Sequence, residues 1–227
     1  MAMRIVSLVP SVTETLTAWG ATPVACTRFC ERPDLPHVGG TKDPDVAGIA
    51  ALNPDLVVLD VEENRLEDHD ALRARGVAVH ALRVRSLSDV GTELAALADR
   101  VDVDWAAPRL PDPVATWVRA FIPIWRRPWM ALGSPTYGSS LLAHLGVANV
   151  FADDGPYPAV ELSDAVARHP DAVLAPSEPY PFTVRQLPEL AAVAPTTYLD
   201  GKDLFWWGAR TPEALVRLGD ALRALVT

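Results

Sequence analysis

The chain has no apolar run approaching the roughly 20 residues needed to cross a bilayer, so membrane insertion is not expected. Cysteine is scarce, with only Cys26 and Cys30. A single pair is not a disulfide framework, and a zinc site needs about four ligands where only His37 lies close in sequence. Reduced thiols and no bound metal are the expectation. The five histidines, His37, His69, His80, His144 and His169, show neither metal-ligand spacing nor a nucleophile–histidine arrangement, so no catalytic residue is assigned. Basic charge is also in short supply. Lysine and arginine total 20 against 29 acidic residues, a formal net charge of −9, which argues against nucleic acid or an anionic lipid surface as a partner. The first residues lack the basic, apolar and small-residue regions of a secretory signal, because a strand begins almost at once and Pro10-Ser11 ends it. As written, the chain is expected to be cytoplasmic; with a leader removed, it would be periplasmic or extracellular.

What the chain does have is a pattern stated twice. Residues Arg4–Gly20 and Trp129–Gly146 each run from an apolar stretch through proline and hydroxyl residues into a helical stretch ending in glycine. Val46–Asp60 and Leu162–Pro176 each hold a short helical pattern, then x-Pro-Asp, then an apolar strand. Two tandem α/β units imply two similar lobes, and a cleft between lobes is where small ligands bind. The 227 residues accommodate two lobes of roughly 90–100 residues. A hydrophobic fraction of 49% with 22% charged residues suits a soluble globular protein.

Strands at 5–9, 23–27, 56–60 and 77–82 alternate with helices at 11–19, 45–52 and 66–75, the last closed by Gly76. Such alternation predicts a parallel sheet covered on both faces. Leu87, Val90, Leu94, Leu97 and Val101 then mark an amphipathic helix over 88–101. After Pro108, Pro111 and Pro113, a second helical stripe is expected from Val114, Trp117, Val118 and Phe121. The second half predicts strands at 129–132, 172–175 and 197–199, with helices at 138–145, 163–168, 187–191 and 212–225. The expected organisation is an N-terminal α/β lobe over 1–86, a helical connector over 87–127 and a C-terminal α/β lobe over 128–227, that is, two Rossmann-like lobes with parallel sheets.

Ligands of open α/β sheets meet the loops at the carboxyl ends of the strands. Ser11 and Glu14 after the first strand match a capping box. Phe29 follows the second strand, and Gly39-Gly40-Thr41-Lys42 comes soon after, with spacing wrong for a phosphate loop. The glycine pair either makes a tight turn or brings backbone close to a partner. Glu62, Glu63 and Asn64 follow the buried third strand; Asn64 and Glu67 fit a helix cap, while Glu62, Glu63 and Asn64 are also candidates for polar ligand contacts. Fourteen of the sixteen aromatic residues fall at or after Trp105. Tyr137, beside Thr136, and Tyr180, Phe182, Trp206 and Trp207 stand among Gly and Pro in loops, where flat rigid rings suit planar ligands.

In their order along the chain, the segments RIVSLVPSVTETL, TRFCERP, VGGTKDPD, LNPDLVVLDVEEN, NVFADDGPYPAVEL and DGKDLFWWG resemble the cobalamin-binding substrate-binding proteins of ABC importers. More broadly, the chain is similar to the helical-backbone metal receptors, whose two lobes are joined by a helix. The resemblance implies the class III substrate-binding fold and non-covalent, non-enzymatic binding of cobalamin, haem or a ferric siderophore in an aromatic-rich cleft. It implies no cofactor beyond that ligand, and a partner in the permease of an ABC importer. It also implies that Phe29, Thr41 and Asn64 line the first-lobe side and Tyr137 and Trp206 the second. A tetrapyrrole chelatase-like enzyme is the alternative from another class, and an intracellular module that has lost its ligand is a third; the enzyme would need a histidine and a carboxylate converging on the site.

Overall fold

Ile5–Ser7 (β1), Ala25–Cys26 (β2), Leu56–Asp60 (β3) and Val79–Leu82 (β4) are short runs of mostly apolar residues, and they form one sheet in the order β2-β1-β3-β4. All its pairings are parallel. β1 and β3 are buried along their whole length, as strands covered on both faces must be. The computed structural model describes residues 3–224. Helices Pro10–Ala18 (α1), Val46–Ala51 (α2) and Leu66–Ala74 (α3) connect the strands. Val6, Leu8, Ile49, Val57, Leu59 and Leu72 are the centre of this core.

Leu87–Arg100 (α4) is the amphipathic helix expected over 88–101, with Val90, Leu94, Leu97 and Ala98 buried on one stripe. The chain divides into two units. One runs to Val84 and includes Ser88–Pro108; the other holds Arg85–Leu87 and the chain from Arg109. Trp105, beyond α4, packs its ring 5.6 Å from that of Trp19 at the end of α1.

The second helical stripe is not a helix. Val118–Phe121 is a strand (β5), and after one residue Pro123–Trp125 (β6) pairs antiparallel with Met130–Ala131 (β7). Val118, Ala120, Phe121, Ile122 and Ile124 are all buried, so nearly the whole run is core. Pro123 breaks a helix but suits a short edge ladder. Tyr137–His144 (α5), Val147–Asn149 (β8), Leu162–Ala167 (α6), Ala172–Pro176 (β9), Leu187–Ala191 (α7) and Thr196–Leu199 (β10) follow. Gly201–Phe205 (α8) and Thr211–Arg223 (α9) close the second unit; Leu225, expected at the end of the last helix, lies outside the described residues.

The second main sheet has the order β10-β9-β5-β8, again entirely parallel. Read from its other edge, β8-β5-β9-β10 repeats β2-β1-β3-β4 strand for strand. The tandem repeat is therefore real, with one correction. The segment at Trp129–Leu132, which echoes β1 in sequence, lies in the small hairpin; β5 occupies the place of β1.

Two expected caps also differ. Val9, not Ser11, caps α1, and Pro10 takes the first turn, where its missing N–H costs nothing. Arg65, not Asn64, precedes α3, because the Asn64 side chain is engaged elsewhere.

Candidate functional site

The loops at the carboxyl end of the first sheet are joined by Asn64, which is only 5% exposed. Its side-chain oxygen accepts from the Asp60 N–H at 2.9 Å, and its Nδ2 donates to Leu8 O at 3.3 Å and Thr41 O at 2.9 Å. One amide thus ties the ends of β1 and β3 to the Thr41 loop. Lys42 Nζ donates to Glu62 O at 2.6 Å and adds a second tie. Thr41 and Glu62 are half-buried, Lys42 and Glu63 exposed. The backbone N–H groups of Glu62 and Glu63 both donate to Asp60 Oδ1, at 2.8 and 3.1 Å.

Asp60 itself is buried, and its Oδ2 has no hydrogen-bond partner. Burial pushes its carboxyl up to about 6, against the two backbone donors that favour the charged form. The glycine pair makes a tight turn: Gly39 has φ +90°, and a Cβ on Gly40 would stand 2.3 Å from Asp43 Oδ1. Asp43 forms an ion pair with Arg28 at 3.1 Å, and the Arg28 guanidinium sits 4.8 Å from the Phe29 ring centre. Phe29 is 51% exposed. Nearby, Cys26 and Cys30 are free and buried, with Thr13 Oγ1 donating to Cys30 Sγ at 3.2 Å. Burial and the neighbouring Cys30 push the Cys26 thiol up to about 12, which favours the protonated thiol at neutral pH.

In the second unit, α8 starts where sequence reading expects a loop. Asp200 caps it, accepting from Lys202 N and Asp203 N, and Trp206 ends it with an extended ψ of 100°. This change of backbone direction separates the two tryptophans: Trp207 is buried, while Trp206 is half-exposed. Trp206 Nε1 donates to Glu178 Oε2 at 3.1 Å, and Lys202 Nζ and Arg210 Cζ stand 5.2 and 5.3 Å from its ring centre. Asp203, buried beneath, holds Arg217 at 2.7 Å and Arg210 at 3.2 Å. Its hydrogen bonds to Arg217 lead the effects that hold its carboxyl below the usual range. Asp203 thereby fixes one of the two cations beside the indole.

Thr136 caps α5, accepting from Ser139 N at 3.2 Å. Tyr137 is buried with its hydroxyl 3.1 Å from Thr211 Oγ1, and burial drives its pKa above the ordinary phenol value. Tyr180 is half-buried; Phe182 turns into the core, stacked 6.0 Å from Trp129. The fold therefore joins Thr41, Lys42, Glu62 and Asn64 in one bonded group. In the other unit it exposes part of Trp206 and Tyr180, and it sets Thr136, Tyr137, Phe182 and Trp207 inside.

Sequence reading missed Asp60, Glu178 and Trp125. Asp60 and Glu178 are acidic residues at or just beyond the ends of apolar strands, the one signal that marks them. Among the described residues, no three metal-ligating side chains converge.

Periplasmic binding protein is the description of the family that matches residues 5–178. The chain belongs to that family. Among its relatives, the vitamin B12-binding protein of Salmonella choleraesuis (strain SC-B67) is 27% identical over 191 residues, covering 76% of this chain and 72% of the relative. The crystal structure of the periplasmic vitamin B12 binding protein BtuF of Vibrio cholerae superposes with a TM-score of 0.79 at 19% identity, covering 100% of this chain and 98% of that one. The periplasmic heme-binding protein BhuT, solved in complex with two hemes, gives 0.79 at 21% identity and covers 99% of each chain. These likenesses show the class III fold of two parallel-sheet lobes. No described helix is long and apolar enough to cross a membrane.

Proposed function

We propose that this periplasmic binding protein is a non-enzymatic receptor for a flat metal chelate: a corrinoid such as cobalamin, a haem or a ferric siderophore. Trp206 carries the reading. It is a half-exposed indole held by its edge on Glu178 at the carboxyl end of the second sheet, the end where open α/β sheets take ligands. Lys202 and Arg210 place positive charge beside the ring, which suits a ligand with acidic substituents. The named relatives bind vitamin B12 and heme, two ligands of this shape. None of the five histidines falls in the loops around Tyr180 and Trp206, so the histidine–carboxylate pair that a chelatase would use is not formed from those loops. Phe29, Lys42, Glu62 and Glu63 supply the first unit's contacts in this reading. The permease of an ABC importer is the partner, and the protein works as that importer's substrate-binding component.

Titration of the purified protein with cyanocobalamin, haemin and a ferric siderophore, followed by tryptophan quenching, tests this. Binding of at least one is expected. Trp206→Ala should weaken it by about one to two orders of magnitude, since planar stacking is worth roughly 1–3 kcal/mol. A wild-type protein that binds none of the three refutes the reading; an unaffected Trp206→Ala refutes the role of Trp206.

A further inference from the structure

The β6–β7 turn presents an aromatic residue that the site above leaves unused. β5 aligns Phe121 with Val173 of β9, and the chain continues without a break into β6. Trp125 thus reaches the carboxyl end of the second sheet, beside the loop that follows β9. It is 43% exposed, and its ring meets that of Tyr180 edge-on at 5.7 Å. Tyr180 in turn lies 4.7 Å from Phe182, which stacks on Trp129 at the other side of the turn. Arg126 secures the base of the turn through Glu189 at 2.6 Å and lies 5.8 Å from the Trp129 ring centre. The exposed ring is therefore buttressed from behind rather than loose. Arg127, exposed in the same turn, forms no ion pair with any described residue.

Two residues before Tyr180, Glu178 holds Trp206, and Ser177 Oγ accepts from Gly201 N at 2.9 Å. Trp206 meets Glu178, and two residues on Tyr180 meets Trp125, so the loop after β9 touches an indole on each side.

We propose that Trp125 and Tyr180 form a second aromatic contact, taking the far edge of a planar ligand whose acidic group is met by Arg127. For the ligand class, this rests on the reading above. An edge-to-face pair with one ring exposed offers a flat face and a fixed orientation, which a planar guest needs.

Anilinonaphthalene sulfonate, a planar aromatic anion, is the probe, because it reports on the surface whatever the natural ligand is. Its fluorescence enhancement should saturate with the wild-type protein. Trp125→Ala and Trp125→Leu should each lower its affinity tenfold or more, and Arg127→Ala several-fold. Trp117→Phe, at another exposed tryptophan, should leave it unchanged. Trp125→Leu keeps apolar bulk without a π face, so it decides the matter if the alanine variant fails to fold. Absence of probe binding by the wild type, or equal binding by Trp125→Leu, overturns the proposal. Haemin or cobalamin binding that ignores Trp125 leaves the general reading standing and removes this one. Probe binding that depends on Trp125 in a protein that binds no chelate does the reverse.

Discussion

Replacing Asn64 should unfasten three loops at once. Its side chain is buried and makes three hydrogen bonds, to Asp60 N, Leu8 O and Thr41 O. Asn64→Ala leaves one donor and two acceptors without their partner. A buried polar group left unpaired costs about 1–3 kcal/mol, and the 3.3 Å bond to Leu8 is the weakest, so a total near 3 kcal/mol is expected once water partly replaces the amide. With a urea m-value on the order of 2 kcal/mol per molar, the transition of the first unit should fall by roughly 1.5 M. Far-UV circular dichroism across a urea series measures it. Asn64→Asp separates the clamp from mere bulk. It keeps an oxygen for Asp60 N but sets a carboxylate against two carbonyls and close to Asp60. It should be worse than alanine at neutral pH and should recover as the solution is acidified. A loss below about 1 kcal/mol in Asn64→Ala, or equal stability of the two variants, would refute the clamp.

Asp60 gives a pH signature. Its folded value of about 6 lies above the ordinary 3.8, so its favourable contribution is complete below about pH 4 and is lost as pH rises through 6. Asp60→Asn should shrink the stability difference between about pH 4.5 and 7.5 by about 2 kcal/mol, and an unchanged profile in urea titrations would count against it. Gly201→Ala should destabilise the second unit by about 1–3 kcal/mol and shift Trp206 emission, because the added Cβ would stand 2.3 Å from Glu178 N. A variant with wild-type stability and emission would show that this approach is not tight.

Much of the fold could be read from patterning alone. Periodicity finds β3, α4 and α7 nearly to the residue, because their apolar spacing is regular and proline or polar residues bound them. The run from Val114 to Phe121 reads as a helix because Val114, Trp117, Val118 and Phe121 fit a helical spacing by accident. The alternation of β5 was masked by Arg119 at its exposed position and Pro123 just past its end. The local echo between Trp129–Leu132 and β1 marks a strand, β7, but does not show that it pairs only in the small hairpin. Only pairing partners distant in sequence settle which strand lies next to which. The site was legible as loops and not as side-chain roles. Phe29 sits in the open as an aromatic loop residue should, while Trp206 ends a short helix and is half-exposed. Asn64 has the same appearance in sequence, yet its amide is consumed by three backbone groups, two of them distant along the chain. The Glu178–Trp206 contact pairs residues 28 apart, and no spacing rule predicts it.

The β6–β7 hairpin is spliced between a sheet strand and the helix that, in the other half, follows its strand directly. A splice at that point disturbs no rung of the main sheet. Its tip can be lengthened, shortened or given different rings while β5, β8, β9 and β10 keep their registers. The first unit has no such freedom: its corresponding loops are laced to one another through a single buried amide. With the hairpin tip as a ligand contact, as proposed, change in recognition meets little structural resistance in the second unit and much in the first. Descendants of this chain should diversify most at Trp125–Trp129 and least around Asn64.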